Sequence, residues 1–313
     1  MIKRPIIIDT DPGVDDTIAI MLANADPNLD IKAITPVTGN VQYALTSRNA
    51  LFLREYLDMD CKVGNGAHTP LFIENKDAGD IHGTGGMGGY RVPTPQKGFD
   101  GYAWDIIKEE AEKAGGELEI VTLGPLTNIA ITFLRYPEIK PLIKRIVCMA
   151  GTGETGNMNR YAEFNVWIDP EAADIVFKSG VPVTMCGLDG NDFCGITIDE
   201  LNGYLEKVKG SKIEDLFSHI FKHFVKRRIA GGPEDCIQVI NDAITMAYLI
   251  DGNLGKTRKC FVQVETKGTV CAGQTIVDFN GISKQEPNVD VLVWSDKKMF
   301  TDMLDKMIEF YKN

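Results

Sequence analysis

Short apolar runs alternate with stretches of helical period along the first half of the chain. "PIIID" leads into "VDDTIAIMLANAD", "IKAITPV" into "ALTSRNALFLREYL", and "LEIVTL" into "PLTNIAITFLRY". "RIVCMA" comes next, and "VPVTMCG" follows the helix-like "PEAADIVFKSG". Continuous apolar runs without alternation predict strands buried on both faces, and helices between them predict parallel pairing. The fold class is therefore α/β, with an open, mostly parallel, Rossmann-like sheet covered by helices on both faces. From about Thr197 to Ile250 the pattern reads as helical, in "IDELNGYLEKVKG", "SKIEDLFSHIFKHFVKRRIA" and "DAITMAYLI". The last part predicts strands at "KCFVQVET" and "VDVLVWS" and a closing helix at "DKKMFTDMLDKMIEFYKN". No internal repeat, low-complexity segment or linker interrupts the series, so residues 1–313 read as a single domain.

In sheets of this kind, ligands bind beyond the carboxyl ends of the strands. Three polar segments fall at such ends: the aspartates after "PIII", Leu123-Gly124, and the loop "AGTGETGNMNRYAEFN". Charge narrows what could bind there. Forty-four acidic residues against 33 basic give a net charge of −11, which argues against a nucleic-acid polymer as partner. A small neutral or cationic ligand, or a metal ion, remains open. The seven cysteines show no CxxC spacing and read as buried free thiols. No apolar run reaches the ~18 residues of a membrane span. Met1-Ile2-Lys3-Arg4 enters the first strand without a signal-peptide pattern, so the expectation is a cytoplasmic protein with no membrane partner.

The first strand ends in "DTDPGVDD", which places Asp9, Asp11, Asp15 and Asp16 within eight residues. Two carboxylates about 4 Å apart repel by roughly 4 kcal/mol at an effective dielectric near 20. Pro12-Gly13 makes a turn, and a helix is predicted from about Val14, with Asp15 and Asp16 in its first turn. The helix dipole returns only about 0.3–1 kcal/mol for each acid. A hard divalent cation, Ca²⁺ or Mg²⁺, offsets such a cluster better, although the spacing is not that of an EF-hand. Asp242, in "VINDAITMAYLIDG", opens another helix and reads equally as an N-cap or as a further acid of the site. Asn157, Glu163 and Asn165 lie close together after a strand, and Asn40 follows another. Amides and a carboxylate suit neutral hydroxyls such as those of a sugar. "HGTGGMGG" formally matches a dinucleotide fingerprint, but no strand precedes it and no helix follows. It reads as a mobile glycine loop carrying His82.

Several of these pieces resemble one family. "DTDPGVDD" resembles the signature of the nucleoside hydrolases of the inosine–uridine preferring type. The similarity continues through "TGN" (38–40), "HGTGGMG" (82–88), "LGPLTNIA" (123–130), "GNMNRYAEFNVWIDPEAA" (156–173) and "NDAITMAYLID" (241–251), in order along the chain. The resemblance implies hydrolysis of the N-glycosidic bond of a ribonucleoside to ribose and free base, a step of nucleobase salvage. It implies a Ca²⁺ cofactor held by Asp11, Asp16, the Leu123 carbonyl and Asp242. Asp15 is then the general base for a water held by the metal. Asn40, Asn157, Glu163 and Asn165, with Asp242, hold the ribose. Homodimers or homotetramers are common in the family.

One position departs from the pattern. Asn241 stands where many family members have a histidine that helps expel the base, and an amide is no acid near neutral pH. His82 is the nearest substitute, with His223 and Tyr161 behind it. The helix "FSHIFKHFVKRRIAGG" is the expected source of base contacts, through Phe217, His223, Phe224, Arg227 and Arg228. Two other functions share the first motif. A Mg²⁺-dependent phosphotransferase of the haloacid-dehalogenase type also follows its first strand with Asp-x-Asp, but Asp15 and Asp16 would then have no role. A non-catalytic nucleoside- or ribose-binding homologue would account for Asn241.

Overall fold

The computed structural model describes residues 3–74, 76, 78–231 and 236–313. The strands are β1 (Arg4–Thr10), β2 (Leu29–Pro36), β3 (Lys62–Asn65), β4 (Gly101–Tyr102), β5 (Leu118–Thr122) and β6 (Ile143–Met149). They continue as β7 (Val183–Cys186), β8 (Ile196–Thr197), β9 (Ile237–Gln238), β10 (Gly255–Val264), β11 (Thr275–Asp278) and β12 (Val289–Ser295). The helices are α1 (Val14–Ala25), α2 (Tyr43–Tyr56), α3 (Gly79–His82), α4 (Ala103–Ala114), α5 (Thr127–Arg135) and α6 (Phe164–Ile168). After them come α7 (Pro170–Phe177), α8 (Leu188–Asn191), α9 (Ile198–Lys207), α10 (Glu214–Gly231), α11 (Asn241–Ile250) and α12 (Lys297–Phe310).

Ten strands form one sheet in the order β11-β10-β12-β7-β6-β5-β1-β2-β3-β4. From β12 to β4 every pairing is parallel, while β10 and β11 add an antiparallel edge. The expected open, mostly parallel sheet is what the chain builds. β1 shows why its strands read as unbroken apolar runs. Ile6 and Ile8 belong to the apolar cluster that includes α1, α10, α11 and α12, and Ile7 belongs to a second one that includes α4, α5 and α7. Each face therefore needs its own apolar side chains, so period-two alternation disappears.

The strand order also fixes where a ligand can sit. From β1 the chain steps outward through β2, β3 and β4, then returns to place β5 on the other side of β1. The connections after β1 and β5 thus diverge, which opens a crevice at their carboxyl ends. The aspartate turn follows β1, and Leu123 follows β5. The Leu123 N–H donates to the Asp9 carbonyl at 2.7 Å, so the two ends are stitched together at that crevice.

Three strands, β3, β4 and β11, were not expected from the sequence; all are short, and both residues of β4 are exposed. The stretch from Thr197 to Ile250 is not helical throughout, because β8 and β9 pair antiparallel between the helices. Among the described residues, no helix is long and apolar enough to cross a membrane.

Candidate active site

The turn after β1 is built so that its acids cannot relax away from one another. Gly13 caps α1, and its N–H donates to Asp16 Oδ2 at 2.9 Å. Thr10 Oγ1 donates to Asp16 Oδ1 at 2.5 Å, and Asn40 Nδ2 donates to Asp16 Oδ2 at 2.9 Å. Asp11 is fully buried and takes the Asn40 N–H on Oδ2 at 2.6 Å. A Cβ on Gly39 would lie 2.0 Å from that Oδ2, and one on Gly124 would lie 2.5 Å from Asp11 Oδ1. Both glycines are therefore required by the carboxylate that fills their space. Asp9 points elsewhere: Thr35 Oγ1 (2.6 Å) and Asn128 Nδ2 (2.8 Å) donate to its Oδ2.

Oxygens of Asp15, Asp16 and Asp242 lie within 4.8 Å of one another. Burial raises the pKa of all three, and for Asp16 and Asp242 the charge of Asp15 raises it further. Asp11 is also pushed well above the usual carboxylate range, first by burial and then by Asp16. The buried oxygens Asp11 Oδ1 and Asp15 Oδ1 have no hydrogen-bond donor among the described residues. Carboxylates that are buried, mutually repelling and short of donors fit a hard cation ringed by oxygen. The Leu123 carbonyl lies at the same strand ends, where Asn165 Nδ2 donates to it at 2.8 Å. The geometry groups Asp15 with Asp16 and Asp242 and leaves Asp11 outside that trio; it does not by itself separate a base from the ligands.

Above the acids opens a cavity of about 740 Å³, lined by Asp15, Asp242, Asn40, His82, Leu123, Asn157, Glu163, Asn165 and Asn241 among others. Each amide has one end tied down, and that decides what the other end offers. Asn165 spends Nδ2 on the carbonyls of Leu123 and Met149, and Asn40 spends Nδ2 on Asp16 and the Asp11 carbonyl. Both therefore turn Oδ1, an acceptor, to their surroundings. Asn157 Oδ1 accepts the Phe164 N–H at 2.9 Å, leaving Nδ2 as a donor. Glu163 is more committed than the sequence suggests. It caps α6, accepting N–H groups from Asn165 (2.8 Å) and Val166 (3.3 Å), and takes a third from Gly151 (2.9 Å). Burial outweighs these bonds and holds its pKa at about 7.

His82 ends α3 and lies buried beside Asp15, with 3.6 Å between Nδ1 and Asp15 Oδ1. The Val14 N–H donates to Nδ1 at 3.3 Å, so a neutral ring carries its proton on Nε2. Burial drives its pKa down to about 4, against the opposing pull of Asp16. The glycine loop expected to be mobile is packed down, with Met87 fully buried and accepting from Thr17 Oγ1 at 3.2 Å. Of the residues proposed to reach the base, Phe224, Arg227 and Arg228 line the cavity. Phe217 and His223 do not, and neither does Tyr161, a candidate for the leaving-group acid. Phe217 stacks on Phe221 in the core, because its face of α10 is the apolar one. His223 Nε2 bonds to the Ile81 carbonyl at 2.7 Å, and Tyr161 lies on the surface. Sequence reading passed over Gln238, Asp192 and Asn191. The first two line the cavity from segments without a motif, and Asn191 bonds to Asn241, which lines it.

A switch-point crevice where buried acids meet polar amides is the setting of an α/β enzyme for a small polar substrate. The family model described as "Inosine-uridine preferring nucleoside hydrolase" matches residues 6–302. The chain belongs to that family and is an enzyme, a nucleoside hydrolase. It is 36% identical over 307 residues to the "Non-specific ribonucleoside hydrolase RihC" of Escherichia coli O7:K1 (strain IAI39 / ExPEC), covering 98% of both chains. Among solved structures, it resembles the "Purine-Preferring Ribonucleoside Hydrolase from Gardnerella vaginalis", with a TM-score of 0.91, 30% identity and 99% coverage of each chain. It also resembles the plant nucleoside hydrolase PpNRh1, with a TM-score of 0.89, 30% identity and coverage of 97% of this chain and 98% of that one. The phosphotransferase reading falls with this membership.

Proposed function

We propose that this enzyme hydrolyses the N-glycosidic bond of ribonucleosides, giving ribose and free base, and that it depends on Ca²⁺. The observation that carries the reading is the convergence, at the β1/β5 crevice, of an orphaned acid cluster with amides of fixed and complementary polarity. Asp11, Asp16, Asp242 and the Leu123 carbonyl would hold the ion. When bound there, Ca²⁺ supplies Lewis-acid polarisation and offsets the repulsion among the carboxylates. Asp15 is the general base, since it reaches the cavity and its Oδ1 has no donor among the described residues. Burial raises its pKa and makes it a stronger proton acceptor than an exposed aspartate. It takes a proton from water as the water oxygen bonds to C1′. The C1′–N bond breaks, and its electron pair leaves with the base. Developing positive charge on the ribosyl ring is stabilised by the surrounding carboxylates.

Ribose hydroxyls both donate and accept, and the wall offers both: acceptors at Asn40 and Asn165, a donor at Asn157. A 2′-deoxyribonucleoside would leave such buried groups unpaired, so ribose is preferred. The same reading takes the protein as a cytoplasmic homodimer or homotetramer in nucleobase salvage, as the family resemblance implies. The test is a pair of variants. Asp15→Asn and Asp11→Ala both reduce nucleoside hydrolysis by about 10³-fold or more. Only Asp11→Ala weakens Ca²⁺ binding measured by calorimetry. Full activity in Asp11→Ala would remove the metal site.

A further inference from the structure

Asn241 occupies the place from which a leaving-base acid would be expected, and its orientation is set from below. The first fixed point is the Cys186 carbonyl at the end of β7, which can only accept. Asn191, the last residue of α8, donates Nδ2 to it at 3.3 Å. That bond settles which end of the Asn191 amide is nitrogen. The same Nδ2 reaches Asn241 at 3.2 Å, so it must meet the Asn241 oxygen, Oδ1. The Asn241 amide is thereby turned, and Nδ2 is the end left for the cavity it lines. Asn191 is fully buried, and its own Oδ1 has no donor among the described residues. An unsatisfied buried carbonyl opposes folding, so this amide is a poor choice for stability alone.

We propose that Asn191 is a positioning residue that makes Asn241 an obligatory hydrogen-bond donor to the departing base. The inference rests on the ribonucleoside hydrolase reading. No proton is transferred by Asn241. Water adds its oxygen to C1′ and, in the net reaction, its hydrogen to the base. The amide N–H stabilises the electron pair that the base carries off when the C1′–N bond breaks. A ring nitrogen or carbonyl oxygen of a purine or a pyrimidine can accept such a bond, so the arrangement favours expulsion of either. The task left open by the missing histidine is then met by an amide whose polarity cannot invert.

The test compares leaving groups. Inosine and uridine need help to leave, whereas p-nitrophenyl β-D-ribofuranoside releases a stabilised phenolate without it. Asn191→Leu should lower kcat on both nucleosides by about tenfold or more and change the nitrophenyl substrate by less than about twofold. Asn191→Asp keeps the size of the side chain but draws Asn241 Nδ2 towards the new carboxylate, and should give the same pattern. Asn241→Ala should show it too, and Asn191→Leu combined with Asn241→Ala should fall no further than Asn241→Ala alone. Equal losses on both classes of substrate, or full additivity in the double variant, would overturn the inference. If the parent enzyme cleaves the nitrophenyl riboside and neither nucleoside, the inference fails. If it cleaves neither class, the hydrolase reading itself fails.

Discussion

Asp9 is the one aspartate of the first motif with no part in the chemistry, and its surroundings make it informative. Burial raises its pKa from 3.8 to about 7, despite bonds from Thr35 and Asn128. Between those two values the folded chain holds a proton that the unfolded chain has released. The contribution of Asp9 is therefore full below 3.8 and is lost as pH rises through 7. Asp9→Asn removes the loss, so in chelator the variant gains stability relative to the parent as pH rises from 5 to 8, by about 3 kcal/mol at most. Urea unfolding at the two pH values measures it, and a difference independent of pH would refute the assignment. What could be read from sequence at single positions followed the motifs. Asp15, Asn40, Leu123 and Asp242, each picked out by its motif, line one cavity, and Asn40 bonds to both Asp11 and Asp16. Asn191 did not announce itself, because "LDGNDFCG" looks like any polar turn and the amide's role depends on the Cys186 carbonyl lying beneath it.

Two elements deliver the acids, and each is held by features remote from the chemistry. The β1–α1 turn depends on Gly39 and Gly124 giving way to Asp11. In Gly39→Ala the new Cβ must displace a carboxylate that the Asn40 N–H already pins. Strands β1 and β2 remain apolar and paired, so the fold survives while Ca²⁺ affinity falls about tenfold or more. Calorimetric titration beside a circular dichroism spectrum reads both; unchanged affinity would show that Asp11 is not a ligand. α11 brings Asn241 and Asp242 on its first turn and is anchored at its other end. Arg4 donates to the Leu249 and Ile250 carbonyls, Arg145 donates to Leu249, and the buried Glu119 pairs with both arginines. Cations at a helix C-terminus also favour its dipole. The core elements were legible because their periodicity is dictated by burial: α1 begins at Val14 as the Pro-Gly turn predicts. The short edge strands were not, since β3 and β4 gain their pairing from a neighbour rather than from their own pattern.

Taken whole, the molecule is an apolar sheet whose switch point collects negative charge in a chain that is already acidic, with a net −11. Like charges held together by folding should make the ion-free protein less stable than the loaded one. At a Ca²⁺ concentration 100 times Kd, binding adds about 2.7 kcal/mol. For a chain of this size that raises the melting temperature by about 4 °C, as read by calorimetry in Ca²⁺ against chelator. An unchanged melting temperature would mean that the acids bind no ion. The most direct measurement is a panel of ribonucleosides and their 2′-deoxy counterparts incubated with the enzyme, with Ca²⁺ and with chelator, scoring free base. Release from the ribonucleosides that chelator abolishes and Ca²⁺ restores is the expected result. Equal release in chelator, or no release of base from any ribonucleoside, would be incompatible with a Ca²⁺-dependent hydrolase at the β1/β5 crevice.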